Sequence, residues 1–441
     1  MTAFSSRHIA GIDANRTVKD ELAAAIARRS ARRRISVTDL VNPRQTFFSR
    51  TRPDIVISAD RKQLMMAGTG FHDLFGRAVS TEEYVEQFVE FEEIVGKIDV
   101  FESEPIELKT TSSIPTEVLT SRPGQVEQLA MYCAMVARPL GHLLYYRRSE
   151  YGREPLLKAF DVEMTDRDHI VREMLQRRDL LRAALDTGDP CHLLRCEWFG
   201  RDCTYADVCG CVTAQPLTRM VSTGTVRIAE NTALAEVLKA KILAVPPIGP
   251  ADNFTLNDLV FPRKAALRRD GIPESGEPDA GEQMESMERR GFLDVLEDAV
   301  WHGVPGACRT TRVQFGPIRG SLLLYRGIPT LLRATKRREM IPRDRLAVDA
   351  PYYTDRLAFE CAMAGSEKGR LIIYYSALED KFMVYDFWFR DLEGIRAEMR
   401  RRLDLLQSGA QPNELPPCEP AWMSRLCNFG HKCACAGVPR R

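Results

Sequence analysis

The chain has 441 residues, 44% apolar and 28% charged, a composition that suits a folded globular protein and excludes a disordered polar tract; the length suits two or three domains rather than one core. With a net charge of +1 there is no global attraction to nucleic acid, so any such contact needs a local patch. No run approaches the ~18 uninterrupted apolar residues of a membrane helix and the N-terminus shows no hydrophobic signal region, so the protein is expected in the cytoplasm and away from membranes.

In chain order, RRSARRR (Arg28 to Arg34) is a local excess of basic charge, a candidate DNA patch whose plainer reading is a solvated helix face. Apolar spacing from Leu64 to Val79 predicts a helix, and FVEFEEIVGKIDVF with PIELKTT alternates like strands of one antiparallel meander. Pro123 to Ala137 reads as a helix, GHLLYYRR and LLKAFDVEM as strands, and Arg167 to Ala184 as a long amphipathic helix. The expected product is an α/β core with a mixed sheet. ILAVPPIGPADN and GIPESGEPDAGEQ, rich in Pro, Gly and acidic residues, read as linker and exposed loop.

The second half of the chain repeats the first in order. ISVTDLVNPR (35–44) returns as FTLNDLVFPR (254–263), GFHDLFGRAV (70–79) as GFLDVLEDAV (291–300), GKIDVFESEPIELK (96–109) as GSLLLYRGIPTLLR (320–333), and QLAMYCAMV at Gln128 as RLAFECAMA at Arg356. Such ordered self-similarity marks a tandem duplication. The expected division is a first domain over 1–212, a helix and linker over 213–253, and a second domain over 254–441.

Asp99 and Glu107 fall on adjacent predicted strands, and Lys109, two residues after Glu107, shares its strand face. Two carboxylates at one point suit a hard divalent cation, which can activate water and offset charge on a phosphodiester. Alone, so short a pattern is also what an ordinary charged surface strand carries.

Twelve cysteines in a reducing compartment suggest metal or catalytic sites rather than disulfides. Cys196, Cys203, Cys209 and Cys211 align with Cys418, Cys427, Cys433 and Cys435, so each half ends in four clustered thiols. Four thiols can complete a zinc site or ligate an iron–sulfur cluster, and the residues alone do not separate the two. Cys133 and Cys361 also correspond but lie on an apolar helix face and read as core; Cys191 and Cys308 have no counterpart.

With these residues in place, the chain resembles the PD-(D/E)xK nucleases, in particular their RecB-like, iron–sulfur branch, which includes the exonuclease of CRISPR adaptation. The text around Gly68 and His72 looks like the branch's histidine motif, GKIDVF like its G-x-x-D strand, Gln128 and Tyr132 fit its Q-x-x-x-Y motif, and CTYADVC resembles its cysteine end. The resemblance spans most of residues 35–211. It implies two tandem restriction-endonuclease-like α/β domains with mixed central sheets, each closed by a cysteine cluster. It further implies a Mg2+- or Mn2+-dependent deoxyribonuclease, an exonuclease on single-stranded DNA, acting in CRISPR adaptation beside an integrase or in DNA repair beside a helicase. The implied metal ligands are His72, Asp99, Glu107 and the carbonyl of Leu108, with Lys109, Gln128 and Tyr132 supporting catalysis. A 4Fe-4S cluster is implied, with zinc as the alternative, because the family's first cysteine ligand before Pro-Arg is here Asn42 and Phe261. Cys211 and Cys435 are the natural replacements.

The second half replaces the acidic set: His72 becomes Leu293, Asp99 Leu323, Glu107 Leu331, Lys109 Arg333, Gln128 Arg356 and Tyr132 Glu360. It is therefore expected to be a pseudonuclease, in which Arg333 and Arg356 would suit phosphate contact or be ordinary exposed arginines. The competing reading from another class is a non-catalytic DNA-binding or assembly scaffold held by metal clusters.

Overall fold

A computed structural model describes residues 4–27, 34–55, 59–148, 154–197, 203–244, 254–272, 279–304, 306–335, 337–375, 378, 382–420, 427–430, 433 and 435. Of the RRSARRR patch only Arg34 is among them; the rest, like parts of both expected linkers, lies outside the described residues. The fold is mixed α/β, with strands β1 (Ile9–Ala14), β2 (Ile35–Ser36), β3 (Val85–Phe91), β4 (Ile94–Phe101), β5 (Pro105–Thr111), β6 (Leu140–Arg147), β7 (Leu156–Met164), β8 (Val226–Glu230), β9 (Cys308–Phe315), β10 (Ile318–Tyr325), β11 (Ile328–Thr335), β12 (Lys368–Tyr375) and β13 (Phe382–Phe389). They form two mixed sheets. Among the described residues no helix is long and apolar enough to cross a membrane.

The chain divides into two compact units. The first, residues 27–245 with 279–292, holds the sheet β2-β4-β5-β6-β7-β8, with β3 added on β4. β3, β4 and β5 run antiparallel as the alternation predicts, and β5 pairs parallel to β6. That parallel step needs a crossover, which helix Pro123–Met135 supplies. Both sheet faces are covered. Leu143 and Tyr145 pack with Leu129, Ala130 and Cys133 of the crossover helix, while their strand neighbours Leu144 and Tyr146 pack with Phe71 and Phe75 of helix Ala59–Val79. Period-two alternation with two apolar sets is what buries a strand on both sides.

The second unit, residues 1–26, 246–278 and 293–441, holds the sheet β1-β13-β12-β11-β10-β9. Read from β9 to β1, its order matches β3-β4-β5-β6-β7-β8 of the first unit, β2 having no counterpart among the described residues, and β11 runs parallel to β12 across helix Pro351–Ala364. Leu357, Ala358 and Cys361 pack on Leu371, Ile373 and Tyr385 as their counterparts do. Capping boxes also repeat. Ser36 with Asp39 starts helix Val37–Val41, and Thr255 with Asp258 starts helix Leu256–Val260.

The unit boundaries differ from the sequence expectation at both ends. Residues 213–253 are not merely helix and linker, because β8 pairs antiparallel with β7 and completes the first sheet. Residues 1–26 belong to the second unit, where β1 pairs antiparallel with β13. The two arms are equivalents. Met220 N–H donates to buried Glu127 at 2.9 Å, as Ser5 N–H donates to buried Asp355 at 3.0 Å. Asn231 Nδ2 donates to Asp161 at 2.9 Å and Asn15 Nδ2 to Asp386 at 2.9 Å. Each asparagine then accepts from a backbone N–H three residues on, Leu234 at 2.8 Å and Val18 at 2.9 Å, which starts the arm helices Thr232–Ala244 and Arg16–Ala27. Thus the arm that completes the second unit is encoded at the opposite end of the chain from that unit's cysteine loop.

Candidate active site and cysteine loops

β4 carries Asp99 and β5 carries Glu107 and Lys109 on one strand face, so the short antiparallel pairing of Val100 with Ile106 sets the three side by side. Asp99 Oδ2 accepts from the Leu108 N–H at 2.7 Å, which ties the two strands where regular pairing stops. Lys109 Nζ donates to Glu107 Oε1 at 2.5 Å and to Gln128 Oε1 at 2.9 Å, and Gln128 Nε2 donates back to Glu107 Oε1 at 2.7 Å. Tyr132, one turn after Gln128 on helix Pro123–Met135, lies 3.4 Å from the same amide. Its ring rests on Gly96, where a Cβ would come within 2.7 Å of the ring carbon. That close approach gives the glycine of GKIDVF a physical reason. His72, from helix Ala59–Val79, places Nδ1 3.4 Å from Asp99 Oδ1. All six expected side chains therefore meet, and they line one cavity of about 1110 Å3 that Arg34, Phe88, Lys97 and Arg148 also line.

The electrostatics separate the two carboxylates. Burial works against the charge of Asp99, but the neighbouring His72, Lys109 and the Leu108 N–H outweigh it and hold the carboxyl below its usual range. Glu107 is pushed up to about 7, by burial first and by the adjacent Asp99, with Lys109 opposing. Burial likewise keeps the Tyr132 phenol protonated. Among the described residues, the buried Glu107 Oε2 and His72 Nε2 of this set meet no hydrogen-bond partner. Orphaned acceptors are costly unless something else meets them.

Within each cysteine loop some of the expected thiols neighbour one another. In the first unit, burial together with nearby Cys211 and Cys203 raises the Cys196 and Cys209 thiols. In the second, Cys418 and Cys433 are raised, chiefly by hydrogen bonding to Cys435, whose own thiol is correspondingly held down, and Cys427 contributes to Cys433. Cys418 N–H also donates to Cys435 Sγ at 3.3 Å. The arginine of each Pro-Arg pair fastens its loop. Arg44 donates to the carbonyls of Cys209, Pro190 and Leu193 at 2.5, 2.8 and 2.7 Å, and Arg263 to the Leu415 carbonyl at 2.9 Å and Cys435 Sγ at 3.8 Å. Sequence reading assigned neither arginine a role, although both sit in the repeated PR text. Asn42 Oδ1 accepts from the Glu197 N–H at 2.9 Å, next to Cys196, so this side chain tethers the loop. Cys133 and Cys361 are fully buried, as expected. Among the described residues no group of three or more His, Cys, Asp or Glu side chains is set to hold a metal ion.

No protein-family model matches the chain, and no curated protein is similar to it. Among solved structures, one described as "Crystal structure of SSO0001" is similar at 19% identity with a TM-score of 0.31, covering 46% of this chain and 96% of its own.

Proposed function

We propose that the first unit is a RecB-like, restriction-endonuclease-type domain that hydrolyses phosphodiester bonds of single-stranded DNA with Mg2+ or Mn2+. The observation that carries this reading is the pair of orphaned buried atoms, Glu107 Oε2 and His72 Nε2, flanking an Asp99 held in its charged form inside an open cavity. His72, Asp99 and Glu107 are residue types that a hard divalent cation takes, and with the Leu108 carbonyl they would hold one once drawn closer than they stand here. When bound, the ion supplies Lewis acidity and charge neutralisation for phosphoryl transfer to water. Lys109, clamped between Glu107 and Gln128, presents its remaining ammonium hydrogen to a water or phosphoryl oxygen entering the cavity. Tyr132 remains a neutral phenol beside Gln128 and limits how that amide can turn.

The eight loop cysteines are assigned to two structural clusters, 4Fe-4S with zinc as the alternative. Anaerobic purification followed by visible absorption and metal analysis reads which one is present. The second unit, in which leucines replace His72, Asp99 and Glu107, is assigned as the non-catalytic partner. The decisive test uses end-labelled single-stranded DNA with Mn2+ and the wild type, Lys109→Ala and Glu107→Ala proteins. Cleavage by the wild type with a loss of about 100-fold or more in each variant supports the reading. Absence of cleavage, or cleavage that survives both substitutions, replaces it with a scaffold.

A further inference from the structure

The position vacated by the acidic set in the second unit is rebuilt with arginine. Arg333 on β11 lies opposite Ile373 of the parallel neighbour β12, as Lys109 lies opposite Tyr145 of β6. Arg356 takes the place of Gln128 on the crossover helix, and Glu360 that of Tyr132. Two carboxylates and one ammonium thereby become two guanidiniums and one carboxylate, which reverses the sign of the local charge.

The single carboxylate is spoken for. Arg356 Nε donates to Glu360 Oε1 at 2.7 Å, and Glu360 is buried with its side chain 6% exposed. Arg333 donates from Nη1 to the Leu332 carbonyl at 2.9 Å, and no carboxylate pairs with it among the described residues. Burial disfavours its charge, the adjacent Arg356 disfavours it further, and Glu360, already paired with Arg356, opposes both only in part. Arginine stays charged at any ordinary pH, so this cost is relieved by an anion rather than by losing a proton. The remaining N–H groups of two neighbouring guanidiniums present planar donor pairs of the geometry that phosphate oxygens accept. Arg356 remains 23% exposed in its side chain, so an anion can reach the pair from solvent. Neither a metal nor a titrating group is needed.

We propose that the second unit binds a phosphate group between Arg333 and Arg356 without metal, the phosphate coming from a nucleic-acid strand or from free phosphate. This rests on the second unit alone, so it stands or falls independently of cleavage by the first.

The test uses the full chain in EDTA. Binding of a fluorescein-labelled single-stranded oligonucleotide is followed by anisotropy, and thermal unfolding is compared in inorganic phosphate and in chloride at equal ionic strength. Arg333→Met is expected to weaken oligonucleotide binding about tenfold and to flatten its salt dependence by roughly one phosphate contact, whereas Arg227→Met, at an exposed arginine of the first unit, leaves both unchanged. The double variant Arg356→Gln/Glu360→Gln, which removes the ion pair as a unit and keeps the net charge, is expected to match Arg333→Met. Oligonucleotide binding that depends on Arg333 identifies a nucleic-acid phosphate. Stabilisation by inorganic phosphate, lost in Arg333→Met, without oligonucleotide binding identifies free phosphate. Should Arg333→Met fail to fold, the double variant and the wild-type phosphate shift still decide. Oligonucleotide binding unaffected by the arginine substitutions, or neither binding nor phosphate stabilisation in the wild type, overturns the proposal.

Discussion

The two units share strand order, crossover helix, capping boxes and cysteine loops, yet their centres carry opposite charge. In the first, Lys109, Gln128 and Glu107 close a hydrogen-bonded triangle beside Asp99; in the second, apolar side chains stand at the carboxylate positions, and Arg333 and Arg356, whose charges disfavour one another, stand at those of Lys109 and Gln128. Leu331 is buried there, and the apolar core around it persists. The comparison teaches that the scaffold does not depend on the polar centre. What the two units do share in polar chemistry lies away from it, in the arms, the buried arginine of each long helix and the Pro-Arg clamps.

The strongest way to break the comparison is through the arms, because the second unit draws its edge strand from residues 1–26. Deletion of residues 1–27 removes β1, the Asn15 contact to Asp386 and the Ser5 contact to Asp355. The expected outcome is loss of cooperative folding of the second unit, with the first unit still protected. Hydrogen exchange read separately over β12 and over β6 checks this, and uniform protection after deletion refutes it. An added peptide covering residues 4–27 should restore protection in β12.

A point change sharpens the same contrast at the helix buried beneath each sheet. Arg177, 1% exposed, donates to both oxygens of Glu127 at 2.7 and 3.1 Å. Its counterpart Arg402 is 3.9 Å from Asp355 but donates to Glu398 at 2.8 Å. Glu127→Ala therefore strands a buried guanidinium and is expected to cost about 3–5 kcal/mol. Asp355→Ala leaves Arg402 with a carboxylate partner, and a loss of about 1–2 kcal/mol is expected. Chemical denaturation of the two variants measures the difference; equal losses would show that Glu398 does not substitute for Asp355.

These relationships mark where sequence reading stopped. The repeat, the meander and the crossover helices were legible because each rests on local periodicity, and the meeting of Asp99, Glu107 and Lys109 followed from their strand spacing, whereas His72, Gln128 and Tyr132 were named only by the resemblance to a nuclease family. The arms were not. β1 is six residues long and only partly buried, so its pattern does not name a partner, and partner choice is a tertiary matter that chain order misstates. A faint signal existed, since IDAN (12–15) and IAEN (228–231) are themselves repeats ending in the capping asparagines. Nor were Glu127, Arg177, Asp355 and Arg402 singled out, because pattern alone cannot tell a solvated charge from one paired in the interior.

The mildest prediction isolates the polar centre from the scaffold. Gly96 and Gly320 are equivalents on β4 and β10, but only the first lies under an aromatic ring. A Cβ at Gly96 would come within 2.7 Å of Tyr132, whereas one at Gly320 meets nothing within 4 Å. Gly96→Ala must push Tyr132 aside at a cost of about 1–3 kcal/mol. Gly320→Ala is expected to be neutral or to stabilise by up to about 1 kcal/mol, as its strand loses backbone freedom at no steric cost. Since Tyr132 abuts Gln128, which holds both Lys109 and Glu107, Gly96→Ala should also lower cleavage in a protein that remains folded at the assay temperature. If it destabilises yet cleaves at the wild-type rate, Tyr132 packs the site without positioning Gln128, and the triangle of Gln128, Lys109 and Glu107 holds its geometry unaided.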